Sequence, residues 1–198
     1  METTTVDGGR PAISNQDKLV SGSSFLYLFV PVIALIAALV SRKELYLDYV
    51  HVLMGALWTG IDLFMGIVIG RVLSKVNVPA RVEFIKKMMP MMLFLMPSLS
   101  SVTITAGIYL AIWEGIFNLH YYAIIAAGVI VIILLIQGLG IFLPNELRIF
   151  LELMKEEPDV GKISRLGMIN FKLSGSQAFF QIALIFVMAN LAAMNFYF

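Results

Sequence analysis

The sequence predicts an all-α membrane protein, a polytopic helical bundle with five transmembrane helices. Hydrophobic residues make up 60% of the 198-residue chain and charged residues only 14%, whereas about 25% of a typical soluble domain is charged. The apolar residues are gathered in five blocks, each long enough for a helix that crosses a bilayer. These blocks are numbered helices 1 to 5 and cover residues 24 to 41, 46 to 74, 84 to 113, 119 to 143 and 174 to 198. Strands of a membrane β-barrel would be about 10 residues long and alternate in polarity.

The length and the charge of the chain limit its domain organisation and the kinds of molecule that it can bind. The polar residues 1–22 predict a flexible N-terminal tail, and residues 23–198 predict one five-helix transmembrane domain. A net charge of +1, with basic residues beside apolar blocks, argues against nucleic-acid binding. The chain has no cysteine, which excludes disulfides and thiolate ligands. We expect the lipid bilayer, and either other membrane subunits or further copies of the chain, as partners.

The basic residues predict the orientation. Ten Lys and Arg residues flank the second and fourth connections, whereas the first connection has two and the third none. By the positive-inside rule the second and fourth connections are cytoplasmic. The N-terminus of this cell-membrane protein is then inside and the C-terminus outside. Aromatic residues that fall on the predicted outer side include Tyr46, Tyr49, Trp113 and Tyr121.

The second block carries the strongest candidates for function, His51, Trp58 and Asp62. Offsets of 7 and 11 residues at roughly 100° per residue place all three within about 20° on one helix face. Ionisable groups are costly in hydrocarbon and normally face a partner. Arg71 is on the opposite face of this helix, so Asp62 must be protonated or meet a polar group or ion from another helix. It is either a proton-active catalytic or ion-binding group, or a neutral side chain that bonds two helices. Candidate neighbours on helices 3 to 5 are Ser98, Ser101, Thr105, Gln137, Gln177, Gln181 and Asn190.

The two histidines are candidate ligands. His51 lies about 14 Å outward of the middle of helix 2, at 1.5 Å per residue, and His120 opens helix 4 at a similar depth. Imidazole binds haem iron and also suits copper. One interpretation is a joint site in which the two rings approach to about 4 to 5 Å across a metal, with Trp58 packed beside it. The other is a packed, hydrogen-bonded His51 and an interfacial His120.

Helix 3 opens with a methionine-rich stretch. Its five methionines are Met88, Met89, Met91, Met92 and Met96. Thioether sulfur selects Cu(I), but methionine also fills gaps in cores. Pro90 and Pro97 should bend this helix, and Gly66 and Gly70 of helix 2, with the serines and threonines of helix 3, indicate close helix contacts.

An amphipathic cytoplasmic helix is predicted at about 145–157. Leu147, Phe150, Leu151 and Met154 recur at helical spacing among charged residues, and Pro158 marks the end. It either lies at the membrane surface or continues helix 4 past a bend at Pro144. A surface for a partner is the other interpretation.

The motifs suggest a family. The chain resembles the CopD-like and HemJ-like integral membrane superfamily over about residues 50 to 143, in the elements His51-x6-Trp58-x-Gly60, a basic loop with Arg81, Pro90 and Thr105-x-Gly107. The resemblance implies a haem b site at the histidine, as in HemJ-like protoporphyrinogen oxidases, or a role in copper uptake, as in CopD-like proteins. A lysine of the HemJ-like pattern is absent near Tyr121 and Tyr122, and Gln137 stands where a later histidine is expected. The resemblance therefore implies haem b or copper binding and does not imply protoporphyrinogen oxidation.

Three functions follow as expectations. The first is a membrane protein that binds a redox centre, haem b or copper, near the outer face and couples it to protons through Asp62. The second is a non-catalytic accessory subunit of a larger membrane complex. The third is a small ion or metal transporter.

Overall fold

The computed structural model describes residues 22–192, and almost all of this backbone is helical. Side chains are described over residues 26–191. Over the described residues the helices are α1 Gly22–Ser41, α2 Glu44–Ser74, α3 Val78–Trp113, α4 Tyr122–Leu153 and α5 Val160–Ala192. The prediction of an all-α fold is confirmed for these residues. The predicted flexible tail, apart from residue 22, and the C-terminal residues 193–198 lie outside the described part of the chain.

The helices fit a membrane-spanning protein. Helices α2 to α5 are long and apolar enough to cross a bilayer, and α1 adds a shorter apolar stretch, Leu26–Ser41. Large apolar side chains such as Leu57, Ile132 and Phe179 are exposed on the outside of the bundle. An apolar outer surface suits contact with lipid rather than water.

Helices α2, α3 and α5 pack against one another, and α1 and α4 pack on the outside of these three helices. Helix α1 lies against α2 and α3, where the Ser98 hydroxyl donates to the Leu28 carbonyl at 2.9 Å. Helix α4 packs against α5, and its final turns also contact α3. The bundle therefore has an inner face to which α2, α3, α4 and α5 all contribute.

Helix α5 begins at Val160, well before the predicted block at 174–198. Its first turns bury Ile163 and Leu166 while Arg165 stays exposed. This amphipathic start has too many polar residues to be included in a continuous apolar block, although it is regular helix.

Helix α4 continues through Pro144 to Leu153, so most of the predicted 145–157 segment forms the last turns of a long helix. Glu146, Ile149 and Glu152 form a buried stripe on this extension. The Glu152 carboxylate accepts hydrogen bonds from the ammonium groups of Lys155 at 2.8 Å and Lys162 at 2.6 Å. These ion pairs tie the end of α4 to the start of α5.

Two helices contain π-helical segments, Phe64–Ile69 in α2 and Gly138–Phe142 in α4. A π segment inserts an extra residue into a helix turn and so changes the face on which the following side chains lie. Such segments are frequent at functional sites. Both of these segments contribute residues to the same cavity, as follows.

Candidate functional site

A cavity of about 150 Å³ lies between α2, α3, α4 and α5. It has room for several water molecules, since one water needs about 10 to 15 Å³ by a comparable measure. Most of its wall is apolar, and it includes Met65 and Leu139 from the two π segments. Polar residues on the wall include Asp62, Glu146, Asn170, Ser174 and Gln177. The carboxyl groups of Asp62 and Glu146 make this cavity the candidate site.

Asp62 is completely buried, at 0% exposure, near the middle of α2. Its Oδ2 accepts a hydrogen bond from the Gln181 Nε2 of α5 at 2.9 Å, and the polar groups of Ser174 and Trp58 also face the carboxyl. Gln181 is one of the polar neighbours that the sequence offers for Asp62. The expected inward-facing carboxyl is therefore present, with its partner on the last helix.

One side-chain oxygen of each residue in this pair forms no hydrogen bond within the described part of the chain. Asp62 Oδ1 and Gln181 Oε1 are both buried, and neither forms a hydrogen bond with any described residue. A buried acceptor without a donor costs about 1 to 3 kcal/mol. A proton on the Asp62 carboxyl, or a cation bound to it, would lower this cost.

Glu146 on α4 lines the same cavity and is 9% exposed. It is close enough to Asp62 for the two charges to interact, and no described residue forms an ion pair with either carboxyl. No Lys, Arg or His is among the described residues that line the cavity. Two unpaired carboxylates in a largely apolar site would be costly. A proton on each carboxyl, or a cation bound beside them, would lower this cost.

Methionines form part of the cavity wall. Met88, Met92 and Met96 follow each other at four-residue intervals on one face of α3, and all three line the cavity with Met89 and Met65. The expected alternatives for these residues were a gap-filling role and a path for Cu(I). Their position beside two carboxyl groups gives the cavity both sulfur and oxygen atoms that can bind a cation.

The position of Asp62 against α5 depends on direct contact between two helix backbones. A Cβ added at Gly66, one turn after Asp62, would collide with the backbone of Gly175, so only glycine fits at position 66. A Cβ at Gly70 would lie 3.3 Å from the Phe171 Cβ. The close helix contacts expected for these glycines are made with α5.

His51 is half-buried on α2 and contacts α3. Its Nδ1 lies 2.9 Å from the Thr103 backbone oxygen, which can only accept a hydrogen bond, so Nδ1 carries the proton and Nε2 is left as an acceptor. The ring fills the space beside Gly107, where an added Cβ would lie 2.7 Å from the His51 Cε1. A metal-bound imidazole commonly donates its other N–H to a backbone carbonyl in this way.

His120 lies in the exposed connection between α3 and α4. Its backbone N–H and its Nδ1 both lie within hydrogen-bond distance of the Asn118 Oδ1, at 3.0 and 2.7 Å. His51 and His120 therefore have separate partners, and Trp58 lies on the cavity wall with Asp62. Over residues 26–191, no group of three or more His, Asp or Glu side chains is arranged to hold a metal. A joint site of His51 and His120 remains a prediction.

Glu146 is the site residue that the sequence reasoning missed. Glu146 stands among the charged residues of the amphipathic segment 145–157, where the sequence predicts a surface position. The spacing of Glu146, Ile149 and Leu153 on a helix continuous with the apolar block offers a signal for an inward face. That signal is usable only if α4 is known to continue through Pro144.

Comparison of the chain with known protein families, with curated proteins and with solved structures finds no match. The resemblance to the CopD-like and HemJ-like superfamily rests on its short motifs and stays a prediction. Two of the motif residues, His51 and Gly107, are in contact.

Proposed function

We propose that this protein is a small membrane transporter that moves a cation through the Asp62 cavity in exchange for protons. The observation that carries the proposal is the pair of buried carboxyl groups, Asp62 and Glu146, on one cavity without a basic residue on its wall. Ionisable residues of this kind inside membrane helices mark ion paths and proton relays.

The two carboxyls lie at different depths, which suits a stepwise path. Asp62 is about 18 Å from the end of α2 at Ser74, and Glu146 about 10 Å from the end of α4 at Leu153, at 1.5 Å per residue. Glu146 is thus nearer to the basic end of the bundle. A cation that binds between the two carboxyl groups displaces one proton for each positive charge that it carries, and the proton returns when the cation is released.

Copper is the cation that the wall favours. Thioether sulfur is a soft ligand that selects Cu(I), whereas carboxylate and amide oxygens alone suit harder cations. Five methionines reach this cavity, so we propose Cu(I) as the transported ion.

We also propose five membrane crossings, with the N-terminus in the cytoplasm and the C-terminus outside the cell membrane. Helix α1 has 20 residues, which is about 30 Å and matches the hydrocarbon core. The Arg81 guanidinium donates to the Ser164 hydroxyl at 3.0 Å, so the basic second and fourth connections lie at one end of the bundle. This shared end suits the cytoplasmic side.

The experiment is Cu(I) uptake and proton movement in vesicles that contain the purified protein. Vesicles with the wild-type protein should move Cu(I) and protons faster than vesicles without protein. Asp62→Asn keeps an acceptor for Gln181 but cannot titrate, so the variant should assemble and lose uptake. Glu146→Gln should do the same, and Asp62→Leu should also lower stability by about 1 to 3 kcal/mol, because it leaves polar neighbours unpaired.

Glu83→Gln is the matched control, because Glu83 is an exposed α3 carboxyl that pairs with Lys87 at 3.3 Å and does not line the cavity. It should transport like wild type. Wild-type vesicles without uptake, or Asp62→Asn with full uptake, would contradict the proposal. An inactive protein that co-purifies with fixed membrane subunits would favour the accessory-subunit interpretation.

A second candidate function, binding of haem b near the outer face, is favoured by the geometry of His51. Its protonated Nδ1 is held by Thr103, which leaves Nε2 free to bind iron, and haem would supply one-electron transfer there. His120 is exposed and engaged with Asn118, so the described residues fit a single histidine ligand better than two.

The absorption spectrum of purified protein tests this candidate. A Soret band that disappears in His51→Ala, weakens in Gly107→Ala and survives in His120→Ala would support a single ligand. Loss of the band in His120→Ala would support the joint site, and a colourless protein would eliminate both.

A further inference from the structure

A second cavity, of about 320 Å³, lies at the basic end of the bundle, where α3 and α5 both begin. Its wall carries three basic side chains, Arg81, Arg165 and Lys172, and no acidic one. The apolar residues Val78 and Ile169 also line it and are 41% and 42% exposed. Fixed positive charge therefore adjoins an exposed apolar surface in this cavity.

Arg81 is held in place by neutral acceptors. Its Nε donates to the Leu73 carbonyl at 2.8 Å and its Nη2 to the Val76 carbonyl at 2.9 Å, while Nη1 reaches the Ser164 hydroxyl. These bonds join the end of α2 to α5 and fix the guanidinium on the wall. Because carbonyl and hydroxyl oxygens carry no net charge, the positive charge of Arg81 is not neutralised.

Arg165 and Lys172 are seven residues apart, on one face of α5, with Ile169 between them. Both are exposed, and neither forms a hydrogen bond or an ion pair with any residue between 26 and 191. Their side chains are long enough to converge on one anion in the cavity.

We infer that this cavity binds the phosphate of an anionic phospholipid. The phosphate lies between Arg165 and Lys172, within the field of Arg81, and an acyl chain lies along Ile169. Basic pockets between membrane helices bind anionic headgroups for this reason. Lipid is the occupant that the exposed apolar residues favour, since free phosphate would gain nothing from them. This site is separate from the Asp62 cavity and does not depend on the transport proposal.

The experiment measures the thermal unfolding of the full-length protein in neutral detergent as lipid is added. Phosphatidylglycerol should raise the unfolding temperature of wild type, and phosphatidylcholine and inorganic phosphate should not. In the double variant Arg165→Gln/Lys172→Gln, the phosphatidylglycerol concentration needed for half of the effect should rise about 30-fold, as expected for two lost charges.

The matched control is Lys86→Gln/Lys87→Gln, which removes the same charge from exposed positions outside the cavity. Its lipid response should match that of wild type. All variants should unfold alike without lipid, because the replaced side chains are exposed and the exposed Lys87–Glu83 pair adds little to stability. Equal responses of the two double variants would overturn the site. Equal stabilisation by phosphatidylcholine would overturn the charge selectivity, and stabilisation by inorganic phosphate would overturn the lipid assignment.

Discussion

Gly66 in α2 lies directly against the backbone of Gly175 in α5, with no room for a side chain at position 66. The contact is one helical turn from Asp62 and less than two turns from Gln181. It therefore sets the distance and the register at which the carboxyl of α2 meets the amide of α5, 2.9 Å apart.

Gly66→Ala should destabilise the protein by about 1 to 3 kcal/mol, because its Cβ forces two packed helices apart. It should also weaken the Asp62–Gln181 hydrogen bond and so impair uptake in vesicles. The free energy of unfolding in a denaturing detergent measures the first effect. Gly60→Ala is the control on the same helix, since a Cβ at Gly60 has no neighbour within 4 Å. The prediction fails if both variants are as stable as wild type.

Three acidic residues, Glu44, Asp48 and Glu114, interact at the opposite end of the bundle from the basic connections. Partial burial raises the pKa of Glu114 above its ordinary value of 4.5, and repulsion by Glu44 and Asp48 raises it further. At pH values just above 4.5, the Glu114 carboxyl is therefore protonated more often in the folded protein than in the unfolded chain. The free energy of unfolding consequently falls as the pH rises through the raised pKa of Glu114.

Glu114→Gln should remove this part of the pH dependence and stabilise the protein near neutral pH. The free energy of unfolding of wild type and of Glu114→Gln, measured between about pH 4 and pH 7, checks both effects. Glu44→Gln should lower the pKa of Glu114 only in part, because burial is the larger cause. A pH profile of Glu114→Gln that overlays the wild-type profile would refute the assignment.

The proposed orientation predicts which connections are cytoplasmic. Val78 and Val160 are 41% and 42% exposed at the basic end, and Phe117 is 55% exposed in the α3–α4 connection. Single cysteines at these positions are the only thiols, because the chain has none of its own. A membrane-impermeant reagent added to whole cells should label position 117 and leave positions 78 and 160 unlabelled. External labelling at 78 or 160 would reverse the orientation.

The sequence was sufficient to predict an all-helical chain with long apolar helices and the inward-facing carboxyl of Asp62. Both follow from local physics: apolar blocks of membrane length define the helices, and a carboxyl without a cation on its own helix face needs a partner elsewhere. Gln181 was one of several polar residues that could meet it. The choice among them depends on the backbone contact between Gly66 and Gly175, which no local pattern specifies.

Glu146 could not be predicted as a site residue for a related reason. Pro144 and the charged residues after it are typical of a helix end or a surface helix. In the folded protein α4 continues, because Pro144 lies two residues after the π segment Gly138–Phe142, where its missing N–H falls near the change in helical hydrogen bonding. The direction of Glu146 is therefore a property of the tertiary packing of α4 on α5.

The central claim is that Asp62 and Glu146 exchange protons for a cation in one cavity. Infrared difference spectroscopy of the purified protein in lipid tests it most directly, because protonated and ionised carboxyl groups absorb at different frequencies. The account predicts a protonated-carboxyl band in cation-free wild type that decreases when Cu(I) is added and is reduced in Asp62→Asn and in Glu146→Gln. A spectrum that does not respond to Cu(I) and is the same in wild type and both variants would contradict the claim.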